Sequence, residues 1–204
     1  MRIWKVVTSG VFTLDGGSWQ VDNNVWLVGD DEECVVLDPA HDADAVVAAV
    51  DGRRVTAIAC THAHNDHILS APALAERVGA PVLLHPADRV VWDLTHPDRA
   101  PDGDLVDGQS LKVAGGDLRV IHTPGHTPGA CCLLASDLDT VFTGDTLFAG
   151  GPGATGRSYS DFDLIIESIR TRLLPLPPHT RVCTGHGDDT TIGAEAPHVL
   201  STSP

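Results

Sequence analysis

Residues 61–67 read Thr-His-Ala-His-Asn-Asp-His, which places three imidazoles and one carboxylate between His62 and His67. These are the donors that zinc, iron and manganese take, and crowding them into one loop is unfavourable unless a cation offsets their mutual repulsion. The run before them, Arg54-Val-Thr-Ala-Ile-Ala-Cys60, is apolar and β-branched, as expected of a buried parallel strand. The cluster therefore stands just past the carboxyl end of a strand, where open α/β architectures build their sites. Side chains alternate in extended backbone, so His62 and His64 point the same way and can share one ion. Asp66 and His67 are adjacent, point differently, and can serve a second.

A chain of 204 residues with 42% apolar content can bury one substantial core, so the expectation is a single domain spanning 1–204, built as two similar halves. No apolar leader precedes the first strand-like segment and no run is long enough to span a bilayer, which predicts a cytoplasmic protein. Five cysteines (Cys34, Cys60, Cys131, Cys132, Cys183) form no CxxC pair and lie mostly in apolar runs, as buried free thiols do. The net charge of −15 opposes a phosphate-backbone ligand, so nucleic acid is not an expected partner.

The hydrophobic pattern divides the chain into short elements. Strands are expected at 2–8 and 11–14, turning at Ser9-Gly10, then at 21–28 and 33–38. A helix over 42–50 is stopped by Asp51-Gly52 and followed by the strand 54–60. A second helix runs over 70–79, a strand over 81–85 and a short helix over 86–92. Residues 93–109 hold two prolines, two glycines and five aspartates without periodicity, and read as a linker between the halves. The second half repeats the plan, with strands at 110–113, 118–121, 130–134 and 140–143, a helix at 161–174 and a last strand at 181–184. Two such halves, sheet against sheet with helices outside, make a four-layer αββα sandwich of two mixed sheets.

Three later segments place metal-type donors at strand ends beside glycine. His122-Thr-Pro-Gly-His126-Thr-Pro-Gly129 sets His126 on a rigid turn, with His122 reading as structural or supporting. Gly144-Asp145 follows an apolar strand, and Gly185-His186-Gly187 follows another. Asp38, at the end of 33–38, can accept a hydrogen bond from a metal-bound histidine. His41, His85, His96, His179 and His198 stand apart beside turns or prolines and read as solvated or structural.

Together Thr-His-Ala-His-Asn-Asp-His, Gly-His126-Thr-Pro-Gly, Gly-Asp145-Thr-Leu-Phe and Gly-His186-Gly resemble the metallo-β-lactamase superfamily, most closely its glyoxalase II-like (hydroxyacylglutathione hydrolase-like) branch, over nearly the whole chain. The resemblance implies two divalent ions, zinc first with iron or manganese as alternatives. His62, His64 and His126 would hold one ion, Asp66, His67 and His186 the other, and Asp145 would bridge them. It also implies a metal-dependent thioester hydrolase acting on a small acyl-thiol through a metal-bound hydroxide, with Asp66 orienting that hydroxide and accepting its proton. Longer glyoxalase II enzymes grip glutathione with basic residues near the C-terminus, whereas residues 187–204 contain no lysine or arginine. The expectation is therefore a different thiol carrier.

The Gly-rich segment 148–159 directly follows Asp145 and should line the pocket, with Arg157 as an anchor for a substrate carboxylate and Tyr159 as a polar or stacking contact. The competing reading of Arg157 is an ion pair with a nearby aspartate. The alternative reaction is a persulfide dioxygenase of the same superfamily, which the resemblance would place on a single iron held by His62, His126 and Asp145. A β-lactamase comes third, because Asp145 stands where its usual sulfur ligand would be.

Overall fold

In strand β2 (Gly17–Gly29) Val25 and Leu27 face one way while Trp26 and Val28 face the other, and all four are buried. A strand apolar on both faces must be covered on both, and the partners of each face reveal the layers. Val25 and Leu27 join Val36, Ile58 and Cys60 in a cluster with helices α1 (Ala43–Val50), α3 (Ala71–Val78) and α4 (Arg89–Trp92). Trp26 and Val28 join Val35, Leu37, Ala57 and Ala59 in a second cluster, against Leu118, Val120, Leu133, Phe142 and Cys183 of the second sheet. A third cluster packs Ile121, Val141 and Val182 on Ile165, Ile166 and Ile169, with Ile192 and Val199. Three cores between successive layers give the helix–sheet–sheet–helix sandwich that the sequence implies.

The computed structural model describes residues 1–202. One sheet runs β1 (Arg2–Leu14), β2, β3 (Glu33–Leu37), β4 (Arg54–Cys60), β5 (Val82–Leu84), β6 (Gly103–Asp104) in spatial order, antiparallel as far as β3 and parallel beyond it. The other contains β7 (Ser110–Val113), β8 (Gly116–His122), β9 (Cys131–Ala135), β10 (Thr140–Gly144), β13 (Arg181–Thr184) and β14 (Thr190–Thr191), with β10 and β13 parallel. A small hairpin, β11 (Leu147–Phe148) with β12 (Gly151–Pro152), lies between β10 and α5 (Phe162–Ser168). A single helical turn, α2 (Asn65–Ile68), and a terminal helix, α6 (Ile192–Ser201), complete the elements used below. Among the described residues no helix is long and apolar enough to cross a membrane. All five cysteines are buried free thiols.

Three departures from the sequence reading bear on the site and its frame. The first strand does not turn at Ser9-Gly10: β1 is continuous and pairs with β2 from Arg2↔Gly29 to Leu14↔Gly17. The turn lies at Asp15-Gly16, whose φ values of 52° and 76° give the doubly left-handed corner that suits a two-residue hairpin. Gly10 is explained by packing instead, because a Cβ there would come within 2.1 Å of the His41 ring. Residues 93–109 are not a free linker. Gly103–Asp104 forms the edge strand β6, Leu105 is fully buried, and the Trp92 indole donates to the Arg99 carbonyl at 2.5 Å. The third departure is α6, which the sequence reading does not contain; its Thr191 cap accepts from Ala194 N–H.

Candidate metal centre

The centre lies at one end of the two facing sheets, where β4, β8, β10 and β13 deliver their C-terminal loops. Leaving β4, Thr61 is clamped by Asp38 at the end of β3: its backbone N–H and its hydroxyl each donate to that carboxylate at 2.6 Å. His62 and His64 follow in the loop, with His64 still extended, and α2 then begins at Asn65 and carries Asp66 and His67. His126 comes from the turn between β8 and β9, Asp145 directly follows β10, and His186 follows β13. Gly185 must be glycine for space, since a Cβ there would sit 2.3 Å from Asp145 Oδ1 and 2.8 Å from the His67 ring.

All seven residues singled out from the sequence converge. His64 Nδ1 lies 3.1 Å from His62 Nε2 and 3.0 Å from His126 Nε2. His67 Nε2 lies 3.2 Å from His186 Nε2, with Asp66 Oδ2 at 3.5 and 3.3 Å from those two nitrogens. Asp145 stands between the groups, its carboxylate 3.3 Å from His67, 3.5 Å from His186 and 3.6 Å from His126. Within each of the sets His62/His64/His126 and Asp66/His67/His186, the donor atoms fall within 4.8 Å of one another. Asp38, His62 and His67 also meet that span. The Asp38 oxygens are already engaged by Thr61 and by His67 Nδ1 at 3.1 Å, so Asp38 acts as a support.

The outer nitrogens fix which ring atom faces inward. His67 Nδ1–H donates to Asp38, His126 Nδ1–H to the Ala154 carbonyl at 2.9 Å, and His186 Nδ1–H to the Asp22 carbonyl at 2.7 Å. The Thr61 hydroxyl spends its proton on Asp38 and so accepts from His62 Nδ1 at 3.2 Å. Four Nε2 atoms are thereby aimed at the cluster, the arrangement in which an outer partner raises the basicity of a metal-binding imidazole. His64 alone presents Nδ1, and its Nε2 is buried without a partner.

The two sets differ electrically. Burial holds His62 far below the ordinary histidine range, takes His64 down to about 3 and lowers His126, so all three are neutral at neutral pH. For His67 and His186 burial acts in the same sense, but Asp145 and Asp66 outweigh it: His67 rises well above 6.5 and His186 to about 10. Burial likewise opposes ionisation of Asp66, yet the nearby imidazoles win and take it to about 2; Asp145 is held well below the usual carboxylate range by the same balance. His62 and His126 both turn Nε2 towards His64 Nδ1, whose single ring proton can meet only one of them, while His64 Nε2 and Asp66 Oδ1 are buried without a hydrogen-bond partner. Unpaired buried acceptors of this kind are unfavourable, and the donor set fits divalent cations that would satisfy them.

Arg157 and Tyr159 separate. Arg157 lines the cavity of about 100 Å³ over the cluster, together with Phe12, Val21, Ala154 and five of the ligand-type residues. Its guanidinium lies 4.0 Å from the Trp19 ring centre and, among the described residues, has no carboxylate partner, so the ion-pair reading is not observed. Tyr159 is exposed in a left-handed turn (φ 69°) and is not among the lining side chains, a correction to its expected role. His122 is remote, stacked on His85 at 4.0 Å with Nε2 against the Pro128 carbonyl at 3.0 Å.

Sequence reading missed two contributors. Asp88 is fully buried and accepts from Ala63 N–H (2.8 Å), the Thr127 hydroxyl (2.7 Å) and Gly129 N–H (2.5 Å), tying the His62–His64 loop to the His126 turn. Asn23 touches Asp66 and reaches His41. Neither carries a motif, because a lone aspartate in a short helix and an asparagine in a strand have no signature.

Comparison with known proteins agrees with this geometry. The family profile described as the metallo-beta-lactamase superfamily matches residues 19–186. The chain is 32% identical over 189 residues to the hydroxyacylglutathione hydrolase GloC of Haemophilus influenzae, an alignment covering 84% of this chain and 89% of that one. The crystal structure of the BLEG-1 B3 metallo-beta-lactamase superposes with a TM-score of 0.81 at 30% identity, covering 96% of this chain and 100% of that one. TTHA1623 in a di-iron-bound form gives 0.77 at 35% identity, covering 86% and 93%. The superfamily binds divalent metals, and the histidine–aspartate cluster is consistent with such a site. On fold, motif and profile alike, the chain belongs to the metallo-β-lactamase superfamily.

Proposed function

We propose that this protein is a metal-dependent hydrolase of small acyl thioesters, with His62, His64 and His126 holding one divalent ion, Asp66, His67 and His186 a second, and Asp145 bridging them. The observation that carries the reading is the position of Asp145, within 3.3–3.6 Å of ring nitrogens from both sets. Divalent ions, when bound, acidify a water towards neutrality and polarise a carbonyl. Asp66, with Oδ2 engaged by Asn23 and Oδ1 free of hydrogen bonds, is placed to orient that water and take its proton. A thiolate is a good leaving group, so no separate acid is required, and among the described residues the cavity lining offers none beyond the cluster. Phe12 and Val21 supply an apolar wall, the cavity of about 100 Å³ suits a short acyl chain, and Arg157 is free to meet a carboxylate on the substrate. The relative described as a hydroxyacylglutathione hydrolase supports the thioester class.

The test is metal analysis of protein purified without added metal, followed by turnover of a panel of thioesters. About two zinc, iron or manganese per chain with thioester hydrolysis is expected. Two bound ions without turnover of any thioester would end the proposal. The structural neighbour described as a B3 metallo-beta-lactamase puts a β-lactam into the same panel, and selective β-lactam turnover would favour that reading. A single iron with oxygen uptake on a persulfide would favour the dioxygenase.

A further inference from the structure

Outside the seven ligand-type residues, a short polar chain runs from half-buried His41 into the second set. His41 Nε2 meets Asn23 Oδ1 at 2.8 Å, and Asn23 Nδ2 donates to Asp66 Oδ2 at 3.0 Å. The same amide nitrogen stands 3.3 Å from His67 Nε2 and 3.5 Å from His186 Nε2, so it faces all three donor atoms of that set. Among the described residues no amide faces the donor atoms of the first set in this way; its chain, Asp38 through Thr61, reaches only the outer nitrogen of His62. An amide can present either end, and His41 decides which. Its Nδ1 is buried without a partner and lies against Gly10, where a Cβ would come within 2.1 Å of it. The ring proton therefore belongs on Nε2, where Asn23 Oδ1 accepts it, and the amide is left with its NH₂ towards Asp66.

Two features set this apart from incidental packing. His41 holds a left-handed backbone (φ 48°), a conformation that disfavours any side chain and that glycine would adopt freely. Gly10, in mid-strand, gives up a side chain on β1 to seat the ring. Two local rules are broken to hold one imidazole against one amide, a pattern expected where a site is being oriented.

We infer that Asn23 is a positioning residue that fixes the carboxylate of Asp66 for the second ion, and that His41 is the residue that locks the Asn23 amide in the productive orientation. This rests on the assignment of Asp66, His67 and His186 to a second ion. Outer partners of this kind are worth about 10–100-fold in metal affinity. Asn23→Leu, close in volume, is expected to weaken the second ion by about that factor with the first unchanged, and to lower kcat with little change in KM. His41→Gln restores a donor and should keep the second ion. His41→Gly relieves the left-handed backbone, so it should preserve Tm while weakening the second ion about as Asn23→Leu does.

The measurement is stepwise Mn²⁺ titration of metal-depleted protein, with nitrogen-15 NMR of the His41 ring as a readout independent of turnover; the Nε2–H tautomer is expected. Wild-type protein that takes up a single ion would remove the underlying site assignment. Wild type with two ions, combined with Asn23→Leu and His41→Gly variants that bind both as tightly, or with an Nδ1–H tautomer at His41, would overturn this inference alone.

Discussion

The two donor sets lie side by side and use the same side-chain chemistry, yet they are built on opposite electrostatic terms. His62, His64 and His126 are three neutral imidazoles kept neutral by burial, with only neutral partners, the Thr61 hydroxyl and the Ala154 carbonyl, behind the rings. His67 and His186 stand among Asp66, Asp145 and Asp38, and the carboxylates hold protons on them. The first set is ready to coordinate as it stands. The second must give up protons, and it compensates with anionic charge and with the Asn23–His41 support. Similar ligands can therefore give one ion held through preformed lone pairs and one held through charge, with Asp145 belonging to both.

Asp66→Ala breaks the comparison most severely. The second set loses its carboxylate and the proposed reaction loses its proton acceptor, so kcat should fall by about 10²–10⁴-fold, the usual contribution of a positioned general base. The first set shares only Asp145 with its neighbour and should still bind one ion per chain. Metal stoichiometry and steady-state kinetics check both halves of the statement. Retention of two ions with full turnover would show that Asp66 is neither ligand nor base.

A smaller effect separates the supports. Asp38 accepts directly from His67 but reaches His62 only through Thr61. Asp38→Asn should lower affinity for the second ion by about 10–100-fold, with a lesser change at the first. Equal weakening of both ions in a stepwise titration would mean that Asp38 acts chiefly by clamping the strand end.

The protons themselves give a graded test. In metal-free protein at neutral pH, His67 and His186 carry protons, the latter up to about pH 10, whereas His64 is neutral down to about 3. Binding at the second set must displace protons, so its affinity should rise with pH, by about tenfold per unit for each proton released, until those rings are deprotonated. The first set has none to displace, and its affinity should be flat from pH 6.5 to 9. Calorimetry in buffers of different ionisation enthalpy reads proton release directly. Proton release with the first ion, or none with the second, would reverse the assignment of the two environments.

How much of this was legible beforehand follows from the same physics. The sandwich could be read because Cys34–Leu37 of β3 and Ala57–Cys60 of β4 are apolar without interruption, as a sheet covered on both faces requires. The ligand set was readable because imidazoles beside glycine at strand ends serve few structural needs. What failed was long-range. Gly10 looked like a turn because local rules assign mid-strand glycine to a break, whereas its reason is a ring thirty-one residues away at His41. Residues 93–109 looked like a linker because Pro and Asp hide a two-residue edge strand and one buried leucine. Asp88, Asn23 and His41 act through contacts that only the closed fold creates. Tyr159 was placed in the pocket by proximity in sequence, and a left-handed turn removes it.

The smallest expected effect lies outside both sets, at the rim. The Arg157 guanidinium rests on Trp19 and Phe12, 4.0 and 5.3 Å from their ring centres, in a loop latched to the hairpin tip by Ser158, whose N–H and hydroxyl donate to Asp15 at 2.9 and 2.6 Å. This holds a cation beside the cavity without committing it to a carboxylate. Because the side chain is exposed, an ion pair with substrate is worth only about 1 kcal/mol, or roughly fivefold in KM. Arg157→Gln should raise KM by that factor for a thioester with a carboxylate on its acyl chain, and leave a neutral thioester, kcat and both ions unaffected. Equal KM changes for charged and neutral substrates would assign Arg157 to the packing of the rim, and a change in metal content would place it in the support of His126 through the Ala154 segment.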